Sequence, residues 1–426
     1  MKTWQKCVIP LIRKAILHTR KVIALSGVFM LANMPIANAV DANITTEFIA
    51  DLSQPQKNAF VNTTPMSGFC SQFTELCNPG EFSILIPELV AQKYFDPDSD
   101  DLIRNHISLS LDGTIKDITL KDVKTGNEIM GEFRLAFFGM QHSRIDSNSG
   151  SLSGVMTGVG RNPSGGCSGR VGVGGRHVYY HGWGVPEQRL TCYKKLNNDI
   201  PEDYYLGDVH ISNFSFGYTL VTPNPLGVYS GEYEGEVVYT VGEGGDINFH
   251  AETTSDSEIR IKIKATVRHA FLMKFPSDAE FIKVSLAPKG GWSQWVNGGR
   301  VPDSLSQEVP FTLSSTSGFT VNMRCEYDSG TGCALRETTS PTGEKIPLEV
   351  SLTLPGYKTE NGTEARNLLL NSLPAGHVIL PPGEFVTHRR SQIDFRVRKP
   401  GVEMMVKSPG STWQGAVTLV FDTQVD

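Results

Sequence analysis

Long apolar runs are missing from this chain of 426 residues. A membrane-spanning helix needs roughly 18 consecutive apolar side chains, and the nearest approach, Val22 to Leu31, is too short. Basic charge is also in short supply, with 39 Lys and Arg against 45 Asp and Glu. Six of the basic residues (Lys2, Lys6, Arg13, Lys14, Arg20 and Lys21) stand in the first 39 positions, where there are no acidic ones. The remainder holds 33 basic against 45 acidic residues, a net charge of −12. A chain this acidic, without a basic patch, is a poor match for phosphate backbones, so nucleic acid is not expected as a partner.

Motifs that carry chemistry are missing as well. There is no G-x-S-x-G elbow, no H-E-x-x-H and no clear pair of catalytic acids, so no enzymatic activity is expected. The glycines near Gly158 and Gly160 lack both the G-x-G-x-x-G order and the Lys-Ser/Thr ending of a phosphate loop, and they read as a loop. No cofactor is expected. The stretch Asp96-Pro97-Asp98-Ser99-Asp100-Asp101 alternates carboxylates, but Asp101 stands where an EF-hand has its turn glycine and Ile107 where it has its closing glutamate. It reads as a solvated turn. No C-x-x-C pair offers zinc spacing, and no metal is expected.

Helical patterns are scarce: only Pro87 to Phe95 and Glu364 to Leu370 are candidates for a few helical turns. What the chain has instead is 42 glycines, 24 prolines and many short alternating segments. Ile107 to Leu111, Ile259 to Val267 and Leu348 to Leu354 alternate apolar and polar residues with a period of two, which puts one face of each strand in a core and the other in water. The fold class is all-β, with strands packed as sandwiches.

The N-terminus is a basic stretch, then the apolar run, then Ala37-Asn38-Ala39, the order of a secretory signal cleaved before Val40. An uncleaved N-terminal anchor is the alternative. Outside the signal, which contains Cys7, six cysteines remain. Six allow 15 connectivities, and their grouping favours three local pairs: Cys70 with Cys77, Cys167 with Cys192, and Cys325 with Cys333. Such bridges fit an oxidising compartment, the periplasm or the cell surface.

An internal echo links Tyr233-x-Gly235-x-Val237-x-Tyr239 with Trp413-x-Gly415-x-Val417-x-Leu419-x-Phe421. In each, a glycine within the strand admits a close neighbour. Each reads as the last strand of a domain, which divides the chain into a signal at 1–39, a first β domain at 40–239 and a second at 240–426.

The alternating strand Trp413, Gly415, Val417, Leu419 and Phe421, close to the end of the sequence, resembles the C-terminal strand of chaperone-usher fimbrial subunits. Gly290-Gly291-Trp292 to Trp295, Gly299-Arg300, the Cys325 to Cys333 loop with Ala334-Leu335, and Asn62-Thr63-Thr64-Pro65 before Cys70 are similar to two-domain fimbrial tip adhesins. One departure is Val425, where many such subunits have an aromatic residue. The resemblance implies an incomplete immunoglobulin-like pilin domain at 240–426. Its groove, with Trp413, Gly415, Val417, Leu419 and Phe421, takes a strand first from a periplasmic chaperone and then from a neighbouring pilus subunit. It also implies assembly at an outer-membrane usher, export to a fimbrium on the cell surface, and a receptor-binding domain at 40–239 for a host receptor such as a glycan. An inserted strand satisfies an open sheet edge and an apolar groove together.

Two other roles remain open. Val40, Ala42, Ile44, Thr46, Phe48, Ala50 and Leu52 alternate as a donor strand would, which fits an adaptor or minor pilin; the same alternation fits the opening strand of the chain's own first sheet. A secreted carbohydrate-active β-sandwich is the third reading. For receptor binding the candidates are Arg176, His177, Tyr179, Tyr180, His181 and Trp183, between Cys167 and Cys192, because aromatic faces stack on sugars while Arg and His donate to hydroxyls or carboxylates. The competing reading makes this stretch a strand with its aromatics in the core. His177 and His181 would lie about 13 Å apart along such a strand, too far to share a metal.

Overall fold

The computed structural model describes residues 39–146, 150–199, 205–276, 282–296, 300–339, 343–380 and 383–423. Residues 1–38, where the signal is expected, Gly299 and Val425 lie outside the described residues. Strands dominate, and no helix among the described residues is long and apolar enough to cross a membrane.

A first body contains β1 (Ala39–Ile49), β2 (Phe82–Ile86), β3 (Ala91–Phe95), β4 (Ile107–Asp112), β5 (Lys116–Asp122) and β6 (Glu128–Arg144). It continues with β7 (Ser168–Gly174), β8 (Val178–Gly184), β9 (Arg189–Lys194), β10 (Gly207–Val221), β11 (Gly231–Thr240) and β12 (Glu258–Arg268). One large sheet runs β3, β10, β6, β5, β11, β12, β1, with β2 also on β10 and the β7–β8 hairpin joined through β8 to β6. A small sheet has β9, β4 and Ile247–Asn248. The alternation read in the sequence explains why the two pack: on β12, Ile259, Ile261, Ile263, Ala265 and Val267 are buried, while Arg260, Lys262 and Lys264 face outward. Apolar burial at about 25 cal/mol per Å² is what holds such layers together.

Strand β1 lies parallel to β12, from Ala39 opposite Glu258 to Ile49 opposite Arg268. Its Val40, Ala42, Ile44, Thr46 and Phe48 are buried, so the alternation serves the chain's own first sheet. Outside, Lys262 pairs with Asp41 at 2.6 Å and Lys264 with Glu232 at 3.0 Å, solvent-exposed contacts that add little to stability.

A second body contains β13 (Phe271–Lys274), β14 (Ser304–Ser315), β15 (Phe319–Cys325), β16 (Gly332–Glu337), β17 (Lys345–Thr353), β18 (His377–Leu380), β19 (Val386–Arg398) and β20 (Val417–Asp422). One sheet runs β13, β14, β19, β17, β16; the other includes β18, β15 and β20, with β20 at its edge. Between them lies a separate core with Leu313, Phe319, Val321, Ile346, Val350, Leu352 and Val397.

Several expectations change. The first core extends through β12 to Val267, so the division between cores falls near His269 and not at Tyr239. Tyr233 to Tyr239 is part of β11, an interior strand rather than a last one, although Gly235 does admit a close neighbour: a Cβ there would sit 2.4 Å from the Thr119 carbonyl oxygen. Pro87 to Phe95 ends in strand β3, and Glu364 to Leu370 contains the short strand Leu368–Leu369 on β17, so neither makes a helix. The longest helix among the described residues is Lys399–Lys407, started by Pro400 in its first turn and anchored by buried Gly401 and Val402.

Because Phe48 is 1% exposed on the strand that closes the first core, Phe48→Ala is expected to destabilise that core by ~3–5 kcal/mol. Urea unfolding followed by circular dichroism measures it; a loss under about 1 kcal/mol contradicts the assigned role of β1.

Candidate functional site

The glycine-rich hairpin β7–β8 carries the candidates between Cys167 and Cys192, and the structure separates them. Arg176 and His177 lie at the exposed turn between the two strands. From Val178 onward the side chains alternate across the sheet. Tyr179, His181 and Trp183 point into the first core, and Tyr180 points to the opposite face. Trp183 is 0% exposed and its indole N–H donates to the Val159 carbonyl at 2.8 Å. Tyr179, Tyr180 and His181 are also buried. Four of the six candidates are therefore packing residues and present no face to a sugar, a correction to the stacking role expected of them. Their alternation is that of a strand buried on both sides.

Tyr180 is covered by a lid. The helix α1 (Phe69–Gln72), closed by the Cys70–Cys77 bridge, lays Phe69 and Phe73 against Tyr180 and Phe137. The lid fits because Gly139 and Gly182 lie beneath it: a Cβ at Gly182 would meet the Phe69 ring at 2.4 Å. Arg170 fixes the lid from β7, donating to Glu81 at 2.8 and 2.9 Å while its guanidinium sits 4.1 Å from the Phe137 ring centroid. The hydrogen bonds from Arg170 hold the Glu81 carboxyl below its ordinary range. Burial pushes the Tyr180 phenol up to about 12.

Beneath the sheet the first core holds basic groups, of which His142 and Lys93 were not singled out in the sequence. His142 on β6 meets His181 on β8, Nε2 to Nδ1 at 3.0 Å, with the rings stacked 4.9 Å apart. Lys93 on β3 is 1% exposed, and its ammonium donates to the Ile103 carbonyl at 2.9 Å, Ser108 Oγ at 2.7 Å and the Phe249 carbonyl at 3.2 Å. Desolvation lowers Lys93 to about 7 in spite of those acceptors. Asp96 accepts from the Asp98 backbone N–H and Asp101 from those of Ile103 and Arg104, which agrees with a turn.

The second body presents the other candidate surface. Trp413–Gln414 pairs with Glu337 and Arg336 of β16; the chain then crosses at Gly415, whose Cβ would lie 2.8 Å from the Ala334 carbonyl oxygen, and β20 pairs with β15. The single strand expected over 413–421 is thus two segments in two sheets. Among the described residues, no strand pairs with the outer edge of β20. Val417, Leu419 and Phe421 are only half-buried, and so are Phe271 and Met273 of β13 and Phe275 after it. The Phe271 and Phe421 rings lie 6.1 Å apart, both beside Phe319, which joins the two strands into one seam. Phe271, Met273 and Phe275 were missed in the sequence, although their period-two spacing was visible there. The three disulfides are those expected, Cys70–Cys77, Cys167–Cys192 and Cys325–Cys333, and the last braces the end of β15 where Cys325 faces Val417.

Solved structures similar to this chain include the following three. One is described as a chaperone–tip adhesin complex vital for activation of CFA/I fimbriae biogenesis: 10% identity, 91% of this chain and 96% of the other covered, TM-score 0.24. A mutant of the CFA/I adhesin CfaE of enterotoxigenic E. coli aligns at 11% identity, 90% and 92% coverage and TM-score 0.25. The CsuC–CsuE chaperone–tip subunit pre-assembly complex, from archaic chaperone-usher Csu pili of Acinetobacter baumannii, aligns at 8% identity, 91% and 99% coverage and TM-score 0.21. No protein-family model and no curated protein matches the sequence. Superposition at this level fixes no residue correspondence.

Two outcomes are expected. Trp183→Ala should cost ~3–5 kcal/mol of stability through a cavity in the first core, detected as a lowered urea midpoint; unchanged stability would contradict its packing role. Lys93 is charged in the unfolded chain up to about pH 10.5 but in the folded chain only up to about 7. Its stability contribution therefore falls as pH drops from 10.5 to about 7 and is level below that. Unfolding of the first core should become harder between pH 7 and 9, and Lys93→Met should flatten that slope.

Proposed function

We propose that the chain is a fimbrial tip adhesin of the chaperone-usher kind. In this reading the second body is a pilin-type, immunoglobulin-like sandwich that lacks one strand. The observation that carries it is the open edge of β20 above the half-buried seam of Val417, Leu419, Phe421, Phe271 and Met273. Such a strand end leaves N–H and C=O groups unpaired and apolar side chains partly wet, and one inserted extended segment relieves both. Burying four or five further apolar side chains at about 1.5–3 kcal/mol each is enough to hold subunits together. A periplasmic chaperone supplies that segment first, an outer-membrane usher oversees assembly, and a neighbouring subunit supplies the final strand on the cell surface.

The place of β1 favours a tip subunit over an adaptor. An adaptor needs a free strand to donate, whereas β1 spends its apolar side on the chain's own first core. The first body then binds the host receptor, a glycan in this reading, and of the residues considered for it Arg176 and His177 at the hairpin turn are the exposed ones. The chain acts by binding and not by catalysis.

Thermal unfolding of the chain from Val40 onward, with and without a synthetic donor peptide of alternating apolar residues, tests the open seam. The peptide is expected to raise the melting temperature of the second body by several degrees and to fail on Leu419→Asp. If the second body is equally stable with and without peptide, the missing-strand reading falls. Glycan-array binding by the same chain, weakened by Arg176→Ala or His177→Ala without loss of stability, tests the receptor assignment; a stable chain that binds no glycan would overturn it.

A further inference from the structure

We propose that the stacked His142–His181 pair is an acid-sensitive latch that fastens the β7–β8 hairpin to β6. The two imidazoles belong to neighbouring strands: β6 and β8 pair with His142 opposite Tyr179 and Met140 opposite His181. Their single mutual hydrogen bond uses His142 Nε2 and His181 Nδ1, and the outer nitrogens, His142 Nδ1 and His181 Nε2, are buried without a partner. A neutral pair shares one N–H across the 3.0 Å gap. A further proton has two destinations. On an outer nitrogen it makes a sealed cation with no acceptor; on the inner one it sets two N–H groups against each other.

Among the described residues the surroundings offer no counter-charge. From β3 come Phe95, 5.7 Å from the His142 ring, and Lys93, a second cation. From β6 come Phe138 and Met140, with Arg144 two residues beyond His142. From β8 come Tyr179 and Trp183, whose indole N–H is already used by Val159. Strand β10 places Ile211 opposite His142, and β7 places Gly172 opposite His181. His250 lies near Lys93; the carboxylates that act in this region are Glu252 and Asp101 on Lys93, and Asp101 and Glu243 on His250. Desolvation accordingly drives His181 down to about 3 and His142 well below the ordinary imidazole range.

A depressed folded value gives stability that is complete above the unfolded imidazole value of 6.5 and is lost progressively as pH falls toward 3. Carboxylates held low in the fold, such as Glu81, Asp122 and Asp246, begin to weaken the structure only near their ordinary 3.8–4.5. Between pH 6.5 and 4.5 the latch therefore acts before they do. Opening it would release β8 from β6 and expose Trp183, while the second body, where burial lowers only the half-buried His377 among the described histidines, loses less.

Hydrogen–deuterium exchange of the chain from Val40 onward, corrected for intrinsic rates, tests this at pH 6.5 and 4.5. Peptides covering residues 137–144 and 178–184 should lose protection by roughly 50-fold, the factor that a fall from pH 6.5 to 4.5 gives for one histidine of unfolded value 6.5 kept neutral in the fold. Peptides of β14, β17 and β19 should change much less. His142→Leu/His181→Leu should abolish the difference. If that variant does not fold, the wild-type exchange decides alone: equal protection of 178–184 at the two pH values, or a loss equal to that of β17, overturns the latch.

Discussion

Backbone hydrogen bonding along strand edges governs the whole molecule. Every extended segment carries N–H and C=O groups on two sides, and burying a side that is not paired is costly. In the first body the large sheet is extended at one end by β1 and the short Val61–Asn62 strand, and its β7–β8 hairpin is overlaid by the disulfide-closed helix α1. In the second body β20 has one paired side and one open side, and the core behind it is correspondingly half-covered. The open edge of β20 over this half-covered core is the physical basis of the functional reading.

Much of this was legible from residue pattern. The period-two segments at Ile107, Ile259 and Leu348 are strands because alternation is a local property, set by side chains next to one another in sequence. The pairing of the six cysteines was legible for the same reason, since each bridge closes a short loop. The open seam was half legible: Val417, Leu419 and Phe421 were found, whereas the break at Gly415 depends on the Ala334 carbonyl, far away in sequence.

The hairpin shows where pattern reading stops. Tyr179, His181 and Trp183 have the same spacing whether they line a core or a binding surface, and only the facing residues decide. Those residues, Phe138 and His142 on β6 and the lid from Phe69 to Phe73 over Tyr180, come from segments 40 to 110 residues earlier. The end of the first domain was misplaced for a related reason. Tyr239 closes a strand, but β12 must still be added to complete the same core, and only the β11–β12 and β12–β1 registers reveal it.

The parallel register of β1 with β12 governs the order in which the chain can fold. Ala39 must wait for Glu258 before it has a partner, so the first core cannot close while only its early segments have been delivered. Contacts this far apart in sequence are slow to form because a long loop must be closed first. The early segments therefore stay pliable until the residues up to Arg268 are available to pair with β1.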